Sequence, residues 1–226
     1  MPILLFFILT LFSLNLAHSQ NAEESRLIAK QHFDKQEYTQ ALTQYNKSAK
    51  LGDTPAQIAL GNMYEKGFGM QYKDYFKAHF WYLQAANKDD REAQSLLARL
   101  YYEGFGTRQD KKKAIYYFKL SANQGFIPAI NRLAYLYENG QGVSKNYKEA
   151  AKWFRVAADL DDADAQTSLA LLYEAGRGLK RNLNLAIFWF ELAAKQGNAV
   201  AQRRLETLRL IDKFEPINET PQGTEF

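Results

Sequence analysis

Apolar and small residues recur along this chain in one helical pattern, repeated four times. In each copy an Ala is followed by Leu at +4, a small residue at +5 and Tyr at +8. The copies are Ala56, Leu60, Gly61 and Tyr64; Ala93, Leu97, Ala98 and Tyr101; Ala129, Leu133, Ala134 and Tyr137; and Ala165, Leu169, Ala170 and Tyr173. Offsets of 0, 4, 5 and 8 fall on one face of an α-helix. Three residues after each Tyr comes Gly-x-Gly: Gly67-Phe68-Gly69, Gly104-Phe105-Gly106, Gly140-Gln141-Gly142 and Gly176-Arg177-Gly178, in steps of 37, 36 and 36 residues. A second apolar stripe follows each turn, with aromatic centres such as Phe80-Trp81-Tyr82 and Phe188-Trp189-Phe190. It ends on small pairs: Ala85-Ala86, Ser121-Ala122, Ala157-Ala158 and Ala193-Ala194. The pattern predicts an all-α fold, a right-handed α-solenoid of stacked helix-turn-helix units. Each unit buries its apolar face only against its neighbours.

Gly-x-Gly also opens dinucleotide-binding loops, but such a loop needs a third Gly, a preceding strand and a downstream acid. None is present, so the motif is read as a turn. Its first Gly takes the left-handed conformation that ends a helix, and its second lets the chain reverse.

Repeats are expected at 54–90, 91–126, 127–162 and 163–198. Residues 20–53 read as a divergent helix pair, with Tyr38, Ala41, Leu42, Tyr45 and Ala49 as its second stripe and Gly52 closing it. Ala201 extends the repeat register into one capping helix at 199–213. The polar tail 214–226, with two prolines, is expected to be disordered. The first 19 residues differ from the rest. They carry no Asp, Glu, Lys or Arg, run apolar from Ile3 to Ala17, and end on Ala17-His18-Ser19. That is the pattern of an export signal peptide cleaved near Ser19-Gln20. Retention of this segment as a membrane anchor is the alternative, although the run falls short of the ~20 apolar residues of a membrane span.

Composition adds mostly exclusions. Hydrophobic residues are 46% and charged residues 24% of 226, with a net charge of +4. Charges of both signs are interleaved, so nothing favours nucleic acid. There is no cysteine, hence no disulfide, thiol nucleophile, thiolate metal site or lipidated export signal. Beyond the leader the only histidines are His32 and His79, in different units and too few for a zinc site. No Ser stands in a nucleophile elbow. Asp89-Asp90 and Asp161-Asp162 read as loop acids and helix N-caps. Most aromatic residues fall at repeat positions and are expected to pack in the core. No catalytic residue, cofactor or metal is assigned.

The consensus A-x-x-x-L-[GA]-x-x-Y-x-x-G-x-G, followed by A-x-x-[WY]-[FY]-x-x-[AS]-A, resembles the Sel1-like repeat, a relative of the tetratricopeptide repeat. The best copy runs from Ala56 to Ala86, through Asp74, Lys77, Ala78, Trp81 and Tyr82. Departures are small: Asn146 and Asn182 replace Asp74 and Asp110, and Glu149 and Leu185 replace Lys77 and Lys113.

The resemblance implies a non-catalytic protein-protein interaction scaffold or adaptor. Its first helix would line a concave side that binds a partner protein or peptide. Offsets +2, +6 and +9 of that helix are expected to face away from the core. The candidate protein-binding residues there are Asn62, Glu65, Arg99, Tyr102, Asn131, Tyr135, Glu138, Leu171 and Glu174, with Arg99, Tyr102 and Tyr135 as the expected anchors. With the leader, this implies an exported, periplasmic or secreted bacterial monomer that meets membrane only through its signal peptide. The alternative function is a β-lactam- or cell-wall-acting hydrolase of the secreted Sel1-repeat type. This chain lacks the cysteine pairs of those proteins and has no Ser-x-x-Lys motif.

Overall fold

The computed structural model describes the backbone of residues 2–214 and the side chains of residues 17–210. The tail expected to be disordered lies, apart from its first residue, outside the described residues, as do the side chains of most of the leader. Among the described residues there are eleven helices and no strand. They are α1 (Pro2–Asp34), α2 (Tyr38–Lys50), α3 (Thr54–Lys66), α4 (Tyr75–Ala86), α5 (Arg91–Glu103), α6 (Lys111–Asn123), α7 (Ile127–Asn139), α8 (Tyr147–Asp159), α9 (Ala163–Ala175), α10 (Leu183–Lys195) and α11 (Ala199–Phe214). They form two compact units, Met1–Phe126 and Ile127–Phe226. Each unit is a stack of helix pairs. The first helix of each repeat is helix A (α3, α5, α7, α9), and the second is helix B (α4, α6, α8, α10).

The repeat positions form the core. The five register alanines, Ala56 to Ala201, and Leu60, Leu97, Leu133 and Leu169 are buried. Each such leucine contributes about 1.5–3 kcal/mol relative to exposure. The small +5 residue is required by close approach: a methyl on Gly61 would lie 2.5 Å from the Tyr82 ring. Helix A ends as expected. In repeat 2, Gly104 takes φ 78° and its N–H, with that of Phe105, donates to the Leu100 carbonyl. The Tyr at +8 then supplies its own carbonyl to the first residue of the helix-B cap, at 2.8 Å from Asp110 N to Tyr101 O and 3.0 Å from Asn182 N to Tyr173 O.

The second glycine does more than reverse the chain. A methyl at Gly106 would collide with the backbone carbonyl of Tyr75, the first residue of the preceding helix B. Gly69 stands in the same way against Tyr38, and Gly178 against Tyr147. The middle residue of the motif addresses the same tyrosine. Phe68 stacks on Tyr38 at 4.8 Å and Phe105 on Tyr75 at 4.7 Å, while the Arg177 guanidinium lies 5.7 Å from the Tyr147 ring centre. The turn is therefore a clamp between consecutive repeats.

Helix ends are capped in register. Asp53, Asp90 and Asp162 cap helices A, and Asp74, Asp110, Asn146 and Asn182 cap helices B, each accepting a backbone N–H two or three residues on. The Asp-to-Asn departures thus keep the cap. Asp89 and Asp161 are not ordinary loop acids. They adopt φ 59° and 65°, at the position that Gly52, Gly125 and Gly197 occupy in other copies. Asp tolerates this conformation because its short polar side chain bonds locally; Asp161 Oδ1 accepts from Gln166 and Gln196. Buried glutamines join consecutive pairs: Gln57 donates to the Ala49 carbonyl and Gln166 to that of Ala158, a second bond to helix-end carbonyls that also accept the N–H of Gly52 and Asp161.

At the N-terminus the backbone is helical from Pro2 to Asp34 without a break at residues 19–20. Among the described side chains, those of residues 17–20 are exposed and the first buried one is Ala22, whose carbonyl accepts from Ser48 Oγ at 2.7 Å.

The clamp predicts unequal costs for two glycines that share the left-handed conformation. Gly125 has open space around a hypothetical methyl, so Gly125→Ala should cost about 1 kcal/mol from backbone strain alone. Gly106→Ala should cost about 1–3 kcal/mol more, because it also overpacks the Tyr75 backbone. Urea unfolding of both variants checks this; equal midpoints would contradict the clamp.

Candidate interaction surface

Helix A presents its +2, +6 and +9 side chains differently in the two units. In the first unit the +2 residue Ile58 is buried and Glu65 is only 7% exposed. Glu65 is covered by Tyr82 of α4 and Arg99 of α5, so these positions are not the free face the spacing suggested. Glu65 Oε2 lies 2.6 Å from Arg99 Nη2 and accepts from the Tyr82 hydroxyl at 3.0 Å; that hydroxyl also lies 2.6 Å from Asn62 Oδ1. Burial, followed by the Glu65 charge, holds the Tyr82 phenol well above the ordinary 10.0, so it stays a neutral donor. Asn62, Glu65 and Arg99, three of the nine candidates, thus form one network that joins α3, α4 and α5. Tyr102, the fourth in this unit, is half-buried, with the Lys111 ammonium 5.4 Å from its ring centre.

In the second unit Asn131 also faces a neighbour. Its Nδ2 donates to Asp162, the cap of α9, at 2.9 Å. Thr167, the +2 residue of the next repeat, is buried. Glu174 accepts two bonds from the Arg204 guanidinium, at 2.9 and 2.7 Å, which ties α9 to α11. Glu138 is half-buried. Two large side chains remain open at the shared +6 position of successive repeats: Tyr135 on α7, 44% exposed, and Leu171 on α9, 40% exposed. The Arg132 guanidinium lies 5.7 Å from the Tyr135 ring centre. Charged groups accompany both: Arg132 lies by Tyr135, and Glu174, which pairs with Arg204, is on the helix of Leu171.

Sequence reasoning placed Tyr82 in the core without its hydrogen bonds, and gave Arg204 no role. The register of Ala201 puts Arg204 one turn into a fifth helix A, the signal that could have found it. Nothing at these sites resembles a reaction centre. Among the described residues no group of His, Asp and Glu could hold a metal ion. His79 packs edge-on against Tyr101 with its Nε2 buried and unpartnered. Burial, then the Lys113 charge, holds its pKa below the ordinary 6.5, a neutral packed imidazole. His32 bonds to Glu37 at 2.5 Å.

The chain matches the Sel1 repeat family four times, at residues 54–90, 91–126, 127–162 and 163–198, and belongs to it. It is similar to the crystal structure of a Sel1 repeat protein from Oxalobacter formigenes, at 30% identity and TM-score 0.76, over 86% of this chain and 79% of that one. It is also similar to c5321, described as a protective antigen of uropathogenic Escherichia coli strains with this repeat fold. The identity there is 28% and the TM-score 0.56, over 90% of this chain and 52% of that one, so this chain spans about half of that protein. A Sel1 repeat protein from Klebsiella pneumoniae shares the fold at 18% identity and TM-score 0.53, over 86% and 99% of the two chains. No curated protein matches. Sel1 repeat proteins generally serve as scaffolds for protein interaction.

The network around Glu65 predicts coupling. Arg99→Ala leaves a buried carboxylate without its cation. It should cost about 1–3 kcal/mol, less than a wholly buried pair because Arg99 is 37% exposed. In a Glu65→Gln background the same substitution should cost roughly 1 kcal/mol less. A double-mutant cycle in urea reads this directly, and additive costs would contradict the pairing.

Proposed function

We propose that this chain is an exported, non-catalytic scaffold that binds a partner protein or peptide through the helix-A face of its second unit, with Tyr135 and Leu171 as anchors. The observation that carries this is their exposure at one repeated position of two successive helices, in a face where most other candidates are committed to internal bonds. Tyr is a favoured interface anchor. Leu171 supplies aliphatic surface on the helix that carries the paired Glu174, the make-up of an interface core and rim. The candidates in the first unit have a supporting role, holding consecutive repeats in register.

Export is supported by the uncharged apolar leader and its Ala-x-Ser end. Among the described side chains the first buried one is Ala22, so a chain starting at Gln20 keeps every described buried residue. The likeness to a protective antigen fits a place outside the cell. Among the described residues no helix is long and apolar enough to cross a membrane.

Affinity capture from the envelope of producing cells tests the reading, with the wild type beside Tyr135→Ala/Leu171→Ala. At about 1–2 kcal/mol for each anchor, the double variant should bind its partner at least tenfold more weakly while keeping its helical circular-dichroism spectrum. Equal capture by both would move the site elsewhere. Sequencing the N-terminus of the same exported protein should read Gln20 first; a start at Met1 would show that the leader is retained.

A further inference from the structure

The second helices of the first unit carry a surface that the scaffold reading does not use. The aromatic residues expected in the core divide into two sets. Tyr82 and Phe118 are buried, but their neighbours point out: Phe80 is 50% and Tyr116 58% exposed, at the same repeat position of α4 and α6. Phe76, one helical turn before Phe80, is 77% exposed. A phenylalanine this open has no polar group to satisfy in water, and three such large aromatics stand on the second helices of two successive repeats.

Within these helices the charge has one sign. Helices α2, α4 and α6 contain no Asp or Glu. They carry Lys47 and Lys50 on α2, Lys77 on α4 and four lysines on α6; Lys77 pairs with Asp74 at 3.1 Å and Lys111 and Lys113 lie over Tyr102 and Tyr101 of α5, so the basic face rests on Lys47, Lys50 and Lys112. Lys112 occupies on α6 the repeat position of Phe76 on α4. The acids at the starts of these helices are engaged: Asp74 and Asp110 accept backbone N–H bonds, Asp74 also pairs with Lys77, and Glu37 bonds His32. The second helices of the other unit differ, since α8 alternates Lys148, Glu149, Lys152, Arg155 and Asp159. The segregation therefore belongs to one unit and is not a property of the repeat.

We propose that the outward face of α2, α4 and α6 docks on the surface of an anionic lipid bilayer, with Phe76, Phe80 and Tyr116 seated at the headgroup boundary and the lysines on acidic headgroups. A basic helical surface with protruding aromatics is the composition of interfacial membrane binding, and lysines close to an anionic leaflet each strengthen binding about fivefold. A lipid surface suits this face better than nucleic acid does. Single-stranded nucleic acid binding combines a backbone-tracking groove with stacking platforms, whereas Phe76, Phe80 and Tyr116 are half or more exposed, as side chains that enter a headgroup boundary are. The inference departs from the expectation that membrane contact is confined to the leader, and it is independent of the Tyr135–Leu171 site.

The test is cosedimentation of the full chain with vesicles of phosphatidylcholine alone and of phosphatidylcholine with phosphatidylglycerol. The neutral vesicles measure whatever the apolar leader contributes. Binding to anionic vesicles should be at least tenfold tighter than to neutral ones and should fall as salt rises. Lys47→Glu/Lys112→Glu should remove most of that difference, and Phe76→Ser/Phe80→Ser should weaken anionic binding about tenfold. Lys148→Glu/Lys152→Glu on α8 should change nothing. Equal binding to the two vesicle types, indifference to salt in the wild type, or folded face variants that bind as the wild type does would overturn the proposal. So would capture of a single-stranded oligonucleotide or an acidic peptide through these residues without anionic-vesicle binding.

Discussion

Each stack depends on the contact between a Gly-x-Gly turn and the first residue of the helix B before it. A helix pair of this size cannot bury its apolar face alone. Apolar stripes alone specify contact but not register, because neighbouring helices can slide along a smooth surface. The turn fixes the register. Its second glycine admits the backbone of Tyr38, Tyr75 or Tyr147 at a distance that no other residue permits, and its middle side chain covers the ring of that tyrosine. The +8 tyrosine holds the following cap through its carbonyl. Backbone, ring and cap are thus set by one short segment, repeated at a fixed interval.

This arrangement accounts for what the sequence disclosed. The repeat period, the small +5 residues, the left-handed first glycine and the order of helices all follow from spacing, because each is a local demand on one residue type. What stayed hidden depends on neighbours 20–40 positions away. Glu65 reads as a surface acid by its helical offset, yet the packing of α3, α4 and α5 buries it with Tyr82 and Arg99. Asp89 and Asp161 read as loop acids because nothing but the gapless register with Gly52, Gly125 and Gly197 shows that a left-handed residue is needed there. Gln57 and Gln166 interrupt the apolar face and carry no period-based signal, although they bond to the ends of preceding helices.

Function is then a question of which side chains the stack leaves unused. Internal demands consume the positions that repeat, and they also consume most of the helix-A candidates through ion pairs and cap contacts. Tyr135 and Leu171 escape on one helix set, and Phe76, Phe80 and Tyr116 on another. The first group has acidic and basic neighbours that suit a protein interface. The second lies among lysines without acids on its own helices. A scaffold with two such surfaces would bind a protein partner through one unit and a charged lipid surface through the other, each through residues that the fold itself does not need.

The most direct measurement is site-specific photocrosslinking in producing cells, with a photoreactive amino acid placed singly at Leu171, at Phe80 and at the exposed Thr43 of α2. The account predicts a discrete protein adduct from Leu171, lipid adducts from Phe80 and no discrete protein adduct from Thr43. Discrete protein adducts from Phe80 or Thr43 with none from Leu171 would contradict the division of the two surfaces.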